Sequence, residues 1–129
     1  MATFLKSLVT VYVQDIRKAA DFYGGLLQLE ECYRFPRQGL AEHIEYQVGT
    51  TTLAISSPTG LQAHGMPPAT PGHPFEIGLK TDHLDTIIQQ LRAQGVPILK
   101  EPAHSAAGNQ YAYIADPEGN WISLYQSTS

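Results

Sequence analysis

Ser7-Leu8-Val9-Thr10-Val11-Tyr12-Val13-Gln14-Asp15-Ile16 and Phe75-Glu76-Ile77-Gly78-Leu79-Lys80-Thr81-Asp82-His83 are two statements of one pattern. In the first, Leu8, Thr10 and Tyr12 alternate with Val9, Val11 and Val13, the period of two and the β-branched content of a strand. Asp15 then stands where an N-cap belongs, and Ile16, Ala19, Ala20, Tyr23, Leu26 and Leu27 recur at helical spacing through Leu29. Gly24 and Gly25 weaken the last turn of that helix. In the second, Phe75, Ile77 and Leu79 alternate with Glu76, Gly78 and Lys80. Asp82 is placed as N-cap, and Leu84, Ile87, Ile88 and Leu91 form a stripe ending at Gly95. The shift that lays Asp15 on Asp82 also lays Leu29 on Val96. The chain is an internal duplication.

Working outward, Cys32–Phe35, Ala41–Val48 and Thr51–Ile55 complete the first half as strands, with turns at Pro36–Gly39 and Gly49-Thr50. Val96–Lys100, Gln110–Ala115 and Trp121–Tyr125 complete the second, with Asp116-Pro117-Glu118-Gly119-Asn120 as the tight turn before the last strand. The predicted architecture is α+β, two tandem βαβββ modules at 1–55 and 73–129 within one domain over 1–129. Residues 56–72 hold four prolines and three glycines and read as neither helix nor sheet, serving either as a linker or as a loop over a site. One helix covers one face of each sheet. The other face needs the partner half or a second chain, and a concave surface there is the natural ligand site.

Composition narrows the function. The 129 residues carry a formal charge of −4, which speaks against nucleic acid or an anionic membrane as partner. No apolar run approaches the roughly 20 residues of a membrane span. Met1–Thr10 has only Lys6 before a short mixed stretch, without a small-residue cleavage site, which predicts a cytoplasmic location. The single cysteine, Cys32, permits no internal disulfide and no multi-cysteine zinc site; in a strand it reads as a small buried hydrophobe. There is no phosphate-binding glycine loop and no Gly-x-Ser-x-Gly elbow.

Val11-x-Val13-x-Asp15-Ile16, Phe22-Tyr23 and Leu26–Leu29 resemble the first module of the vicinal oxygen chelate superfamily, which includes glyoxalase I, extradiol dioxygenases and the fosfomycin and bleomycin resistance proteins. Phe75–Asp82, Leu91-x-x-x-Gly95-Val96 and Tyr113-Ile114-x-Asp116-Pro117-Glu118-Gly119-Asn120-x-Ile122-x-Leu124 resemble its second module more closely still. The resemblance implies curled mixed sheets around a cavity and a homodimer, and leaves the activity open. It also implies four inward positions for a metal, which align here with Leu8, Ala54, Glu76 and Ser123. Only Glu76 is a good ligand, so no metal cofactor is expected. A rebuilt His43–Glu45–Glu76 site is the alternative that keeps a divalent ion.

Alternation gives the cavity lining independently. The inward set comprises Leu8, Thr10 and Tyr12; His43, Glu45 and Gln47; Thr52 and Ala54; Glu76, Gly78 and Lys80; Tyr111 and Tyr113; and Trp121, Ser123 and Tyr125. The opposite set, Val9, Val11, Val13, Leu53, Ile55, Phe75, Ile77, Leu79, Ile122 and Leu124, is apolar throughout and reads as sheet-to-helix core. Tyr12, Trp121, Tyr125 and one or both of Tyr111 and Tyr113, beside carboxylates, suit a flat or cationic organic ligand, or else fill the module interface. Glu76 and Lys80 could instead neutralise each other. His64, His73, His83 and His104 read as exposed polar residues. Two functions follow: metal-independent binding of a small aromatic or cationic molecule, as in bleomycin-type resistance, or a lyase, isomerase or dioxygenase with either a non-standard metal site or Glu76 as general base.

Overall fold

The computed structural model describes residues 5–70, 72–73 and 75–127. They form two compact units, residues 1–71 and 72–129. In the first, β1 (Leu8–Tyr12) leads into α1 (Ile16–Ala20), and β2 (Glu30–Phe35), β3 (His43–Val48) and β4 (Thr51–Ser56) follow. The sheet order is β1-β4-β3-β2, with β1 parallel to β4 and the remaining pairs antiparallel. In the second unit β5 (Ile77–Lys80), α3 (Leu84–Ala93), β6 (Ile98–His104), β7 (Gln110–Ala115) and β8 (Trp121–Gln126) give the equivalent order β5-β8-β7-β6. The βαβββ duplication holds in each unit.

The local causes are visible. Asp15 caps α1 by accepting from the Lys18 N–H at 3.1 Å. After Ala20 the helix widens into a π turn, Asp21–Leu26. Gly24 lies there against Tyr46, where an added Cβ would come within 3.4 Å of Cε1. Before α3 the capping differs from the expectation. The Asp82 side chain does not cap the helix; His83 occupies the N-cap, its N–H donates to Thr81 Oγ1, and Gln126 Oε1 accepts from the Leu84 N–H at 2.9 Å. Gly95 ends the helix at φ +82, the left-handed geometry that a residue with Cβ resists.

The helix-facing core of the first unit is Val11, Val13, Ile16, Ala19, Phe22, Tyr23, Ile44, Tyr46, Leu53 and Ile55; that of the second is Ile77, Leu84, Ile88, Leu91, Ala112, Ile114, Ile122 and Leu124. Two residues of the expected core are corrected. Val9 is exposed because β1 is an edge strand. Phe75 is exposed because the β5 ladder begins two residues later, at Ile77. The segment read as neither helix nor sheet contains a further short helix, α2 (Thr59–Ala63), following Pro58; Pro71, read in the same segment, lies outside the described residues. Proline after the preceding turn is compatible with a helix start because it needs no N–H partner there.

Cys32 is also corrected. It is exposed, because β2 shifts register between Glu31 and Tyr33 and leaves Cys32 as the extra residue of a bulge. Among the described residues no helix is long and apolar enough to cross a membrane.

Candidate functional site

Strand register puts the expected lining together within each unit. On the second sheet, Gly78, Ser123, Tyr113 and Lys100 form one cross-strand row, and Lys80, Tyr125 and Tyr111 are aligned in the next. Trp121 begins β8 opposite Ala115. Since Ile77 pairs with Ile122, Glu76 falls beside Trp121 on the same face. Glu76, Leu99, Lys100, Tyr113 and Trp121 line a groove of about 440 Å³.

Three features of the groove set its chemistry. His73 lies flat on Trp121, with ring centroids 4.1 Å apart and planes 7° from parallel. The negative charge of the nearby Glu76 carboxylate is the first cause holding the Tyr113 hydroxyl above its usual pKa, followed by burial and Tyr111. The Tyr111 ring meets Tyr113 edge to face at 6.0 Å. Among the described residues Glu76 makes no ion pair with Lys80, and its charge acts on Tyr113. A flat indole, a carboxylate and the Lys100 ammonium border one opening, an arrangement that can stack a planar ring and orient it by charge.

On the first sheet, Tyr12, Ser56, His43 and Phe35 form one row, and Thr10, Ala54, Glu45 and Tyr33 the next. Leu8 aligns with Thr52 and Gln47. His43 Nδ1 lies 2.6 Å from Ser56 Oγ, and its Nε2 lies 2.9 Å from Glu45 Oε2. Tyr33 meets the imidazole edge to face at 6.1 Å.

These positions do not suit a metal. Leu8 and Ala54 carry no donor, and Ser123 offers only a neutral hydroxyl beside the lone carboxylate Glu76. His43 and Glu45 are engaged with each other. Among the described residues no group of three or more His, Cys, Asp or Glu side chains is placed to hold an ion.

The sequence profile of the Glyoxalase/Bleomycin resistance protein/Dioxygenase superfamily matches residues 7–124. The chain belongs to this superfamily. The superfamily fold is equally plain in solved structures. A glyoxalase/bleomycin resistance protein/dioxygenase family enzyme from Burkholderia phytofirmans PsJN superposes with a TM-score of 0.80 at 19% identity, covering 93% of this chain and 96% of that one. A superfamily member from Sphaerobacter thermophilus DSM 20745 gives 0.76 at 25% identity, covering 96% and 98%. A glyoxalase-related enzyme from Fulvimarina pelagi gives 0.78 at 21% identity, covering 98% and 89%. Among curated proteins no sequence matches significantly.

Within the superfamily frame, some participants were not legible in the sequence. His73 is exposed, as its sequence context predicts, and it also stacks on Trp121. Leu99 and Lys100 reach the groove through the irregular register of β6, which breaks simple alternation around Lys100. Ser56 fell at the start of the expected linker but is the last residue of β4. Extending the Thr52-Ala54 alternation by one step would have found it.

Proposed function

We propose that this superfamily member binds a small planar aromatic molecule, cationic or bearing a cationic group, on the concave face of its second unit, without a metal. The observation that carries this reading is the parallel contact of His73 with Trp121 at the mouth of a groove containing Glu76. The indole already accepts a flat, polarisable ring at van der Waals distance, and Glu76 supplies a counter-charge within the same opening. Tyr113, lining the same groove, offers a second aromatic wall. The donor set at the metal positions supports binding without an ion.

A second reading makes Glu76 a general base for a lyase, isomerase or dioxygenase. The position of Glu76 beside Tyr113 in the lining of the groove favours it, because a carboxylate there can reach a bound substrate. On either reading the protein acts in the cytoplasm as a homodimer, supported by its lone cysteine and by sheets that each carry a helix on one face. Light scattering at micromolar concentration returns a dimer mass on this account and a monomer mass against it.

A thermal-shift series tests the binding reading. Planar aromatic cations raise the melting temperature of chelator-treated protein in a dose-dependent manner, as ligands that bind only the folded state must. Stabilisation by divalent metals, with none by aromatic compounds, overturns it.

A further inference from the structure

The first unit holds three side chains that neither reading uses. Ser56, His43 and Glu45 are joined by two hydrogen bonds, Ser56 Oγ to His43 Nδ1 across β4 and β3 at 2.6 Å and His43 Nε2 to Glu45 Oε2 along β3 at 2.9 Å. A carboxylate only accepts hydrogen bonds, so Nε2 carries the ring proton and donates to Glu45. Nδ1 is then the basic nitrogen, and the Ser56 hydroxyl donates to it. The same wiring, hydroxyl to imidazole to carboxylate, turns an alcohol into a nucleophile. The β3–β4 ladder fixes it: His43 is the direct partner of Ser56, and Glu45 follows two residues along the same strand face. Ser56 is 9% exposed, while the side chains of His43 and Glu45 keep 26% and 18%, so the relay is sheltered yet open on one side.

We propose that Ser56–His43–Glu45 is a nucleophilic relay that takes acyl groups from small aryl esters. The substrate class follows from the surroundings. Tyr12 and Phe35 end the row that contains Ser56 and His43, Tyr33 stands beside Glu45 and against the imidazole, and all three rings are exposed. Ser56 Oγ attacks the ester carbonyl carbon as its proton moves to His43 Nδ1. Collapse of the adduct breaks the bond to the aryl oxygen, and the phenol leaves with the proton that His43 held. Water then attacks the acyl-serine, passing a proton through His43 back to Ser56 Oγ and releasing a carboxylic acid. Glu45 is a positioning residue that fixes the tautomer.

The test uses the full chain and 4-nitrophenyl acetate. Peptide mapping by mass spectrometry finds the acetyl group on Ser56, and His43→Gln slows its appearance about a hundredfold, the usual span for loss of a general base. Nitrogen-15 spectra of the unsubstituted protein show His43 protonated at Nε2, and Glu45→Gln releases that preference. No acetyl group on Ser56, an unchanged rate in folded His43→Gln, or a ring proton on Nδ1 alone each overturns the proposal. The tautomer readout needs no substitution, so a variant that fails to fold leaves the proposal testable.

Discussion

The imidazole of His73 covers the indole of Trp121 in parallel contact, with centroids 4.1 Å apart and planes 7° from parallel. Both residues are exposed, and Trp121 also borders the groove that holds Glu76. The contact therefore sits at the mouth of the groove, where an aromatic pair adds no more than about 0.5–1.5 kcal/mol beyond its buried area. His73→Ala should raise Trp121 emission intensity by removing a stacked quencher, and should lower fold stability by no more than that amount. Emission identical to the unsubstituted protein would mean that the rings do not stack in solution.

Tyr113 reports on Glu76. The carboxylate holds the Tyr113 hydroxyl above its usual pKa, first of all by its charge. In Glu76→Gln the charge is gone, and Tyr113 should ionise at lower pH, observable as an earlier tyrosinate absorbance. An unmoved Tyr113 titration would place Glu76 away from the ring.

Alkaline stability should depend on Tyr46. Burial, with the nearby charge of Glu31 as the next cause, pushes its hydroxyl from 10.0 up to about 12. The folded state thus favours the protonated phenol. That stabilisation is complete below the unfolded value and is lost as pH rises from about 10 through about 12. Chemical denaturation across this window should show a steeper loss in the native protein than in Tyr46→Phe. Equal slopes would contradict the burial account.

The turn before β8 should be the most sensitive loop. Asp116 is buried and accepts from the Glu118 N–H at 2.9 Å, the Asn120 N–H at 2.8 Å and Asn120 Nδ2 at 2.9 Å. Asp116→Ala should cost about 2–4 kcal/mol in urea unfolding, since the part-buried donors lose bonds to a charged acceptor worth about 1.5–3 kcal/mol each and water recovers only part. A loss under about 0.5 kcal/mol would show that the turn holds without them.

The duplication was legible because alternation and helix stripes are local signals, and the Asp116–Asn120 turn because its residue types admit few conformations. The same alternation placed Tyr113, Ser123 and Tyr125 on one sheet face, as the ladders show. It failed where register breaks. The β2 bulge exposed Cys32, and the irregular β6 ladder brought Lys100 to the groove. Capping of α3 by Gln126, forty-two residues away, leaves no trace in local sequence. The stack of His73 on Trp121 is likewise tertiary, joining a loop residue to a distant strand.

Trp121 is the only tryptophan in the chain, so its emission reads the proposed site alone. Titration of chelator-treated protein with a planar aromatic cation that stabilises the fold is the most direct measurement. The account predicts saturable quenching or a spectral shift, and an affinity loss of at least roughly 1–2 kcal/mol in folded Trp121→Ala. Tight binding that leaves the emission unchanged and the Trp121→Ala affinity intact would contradict it.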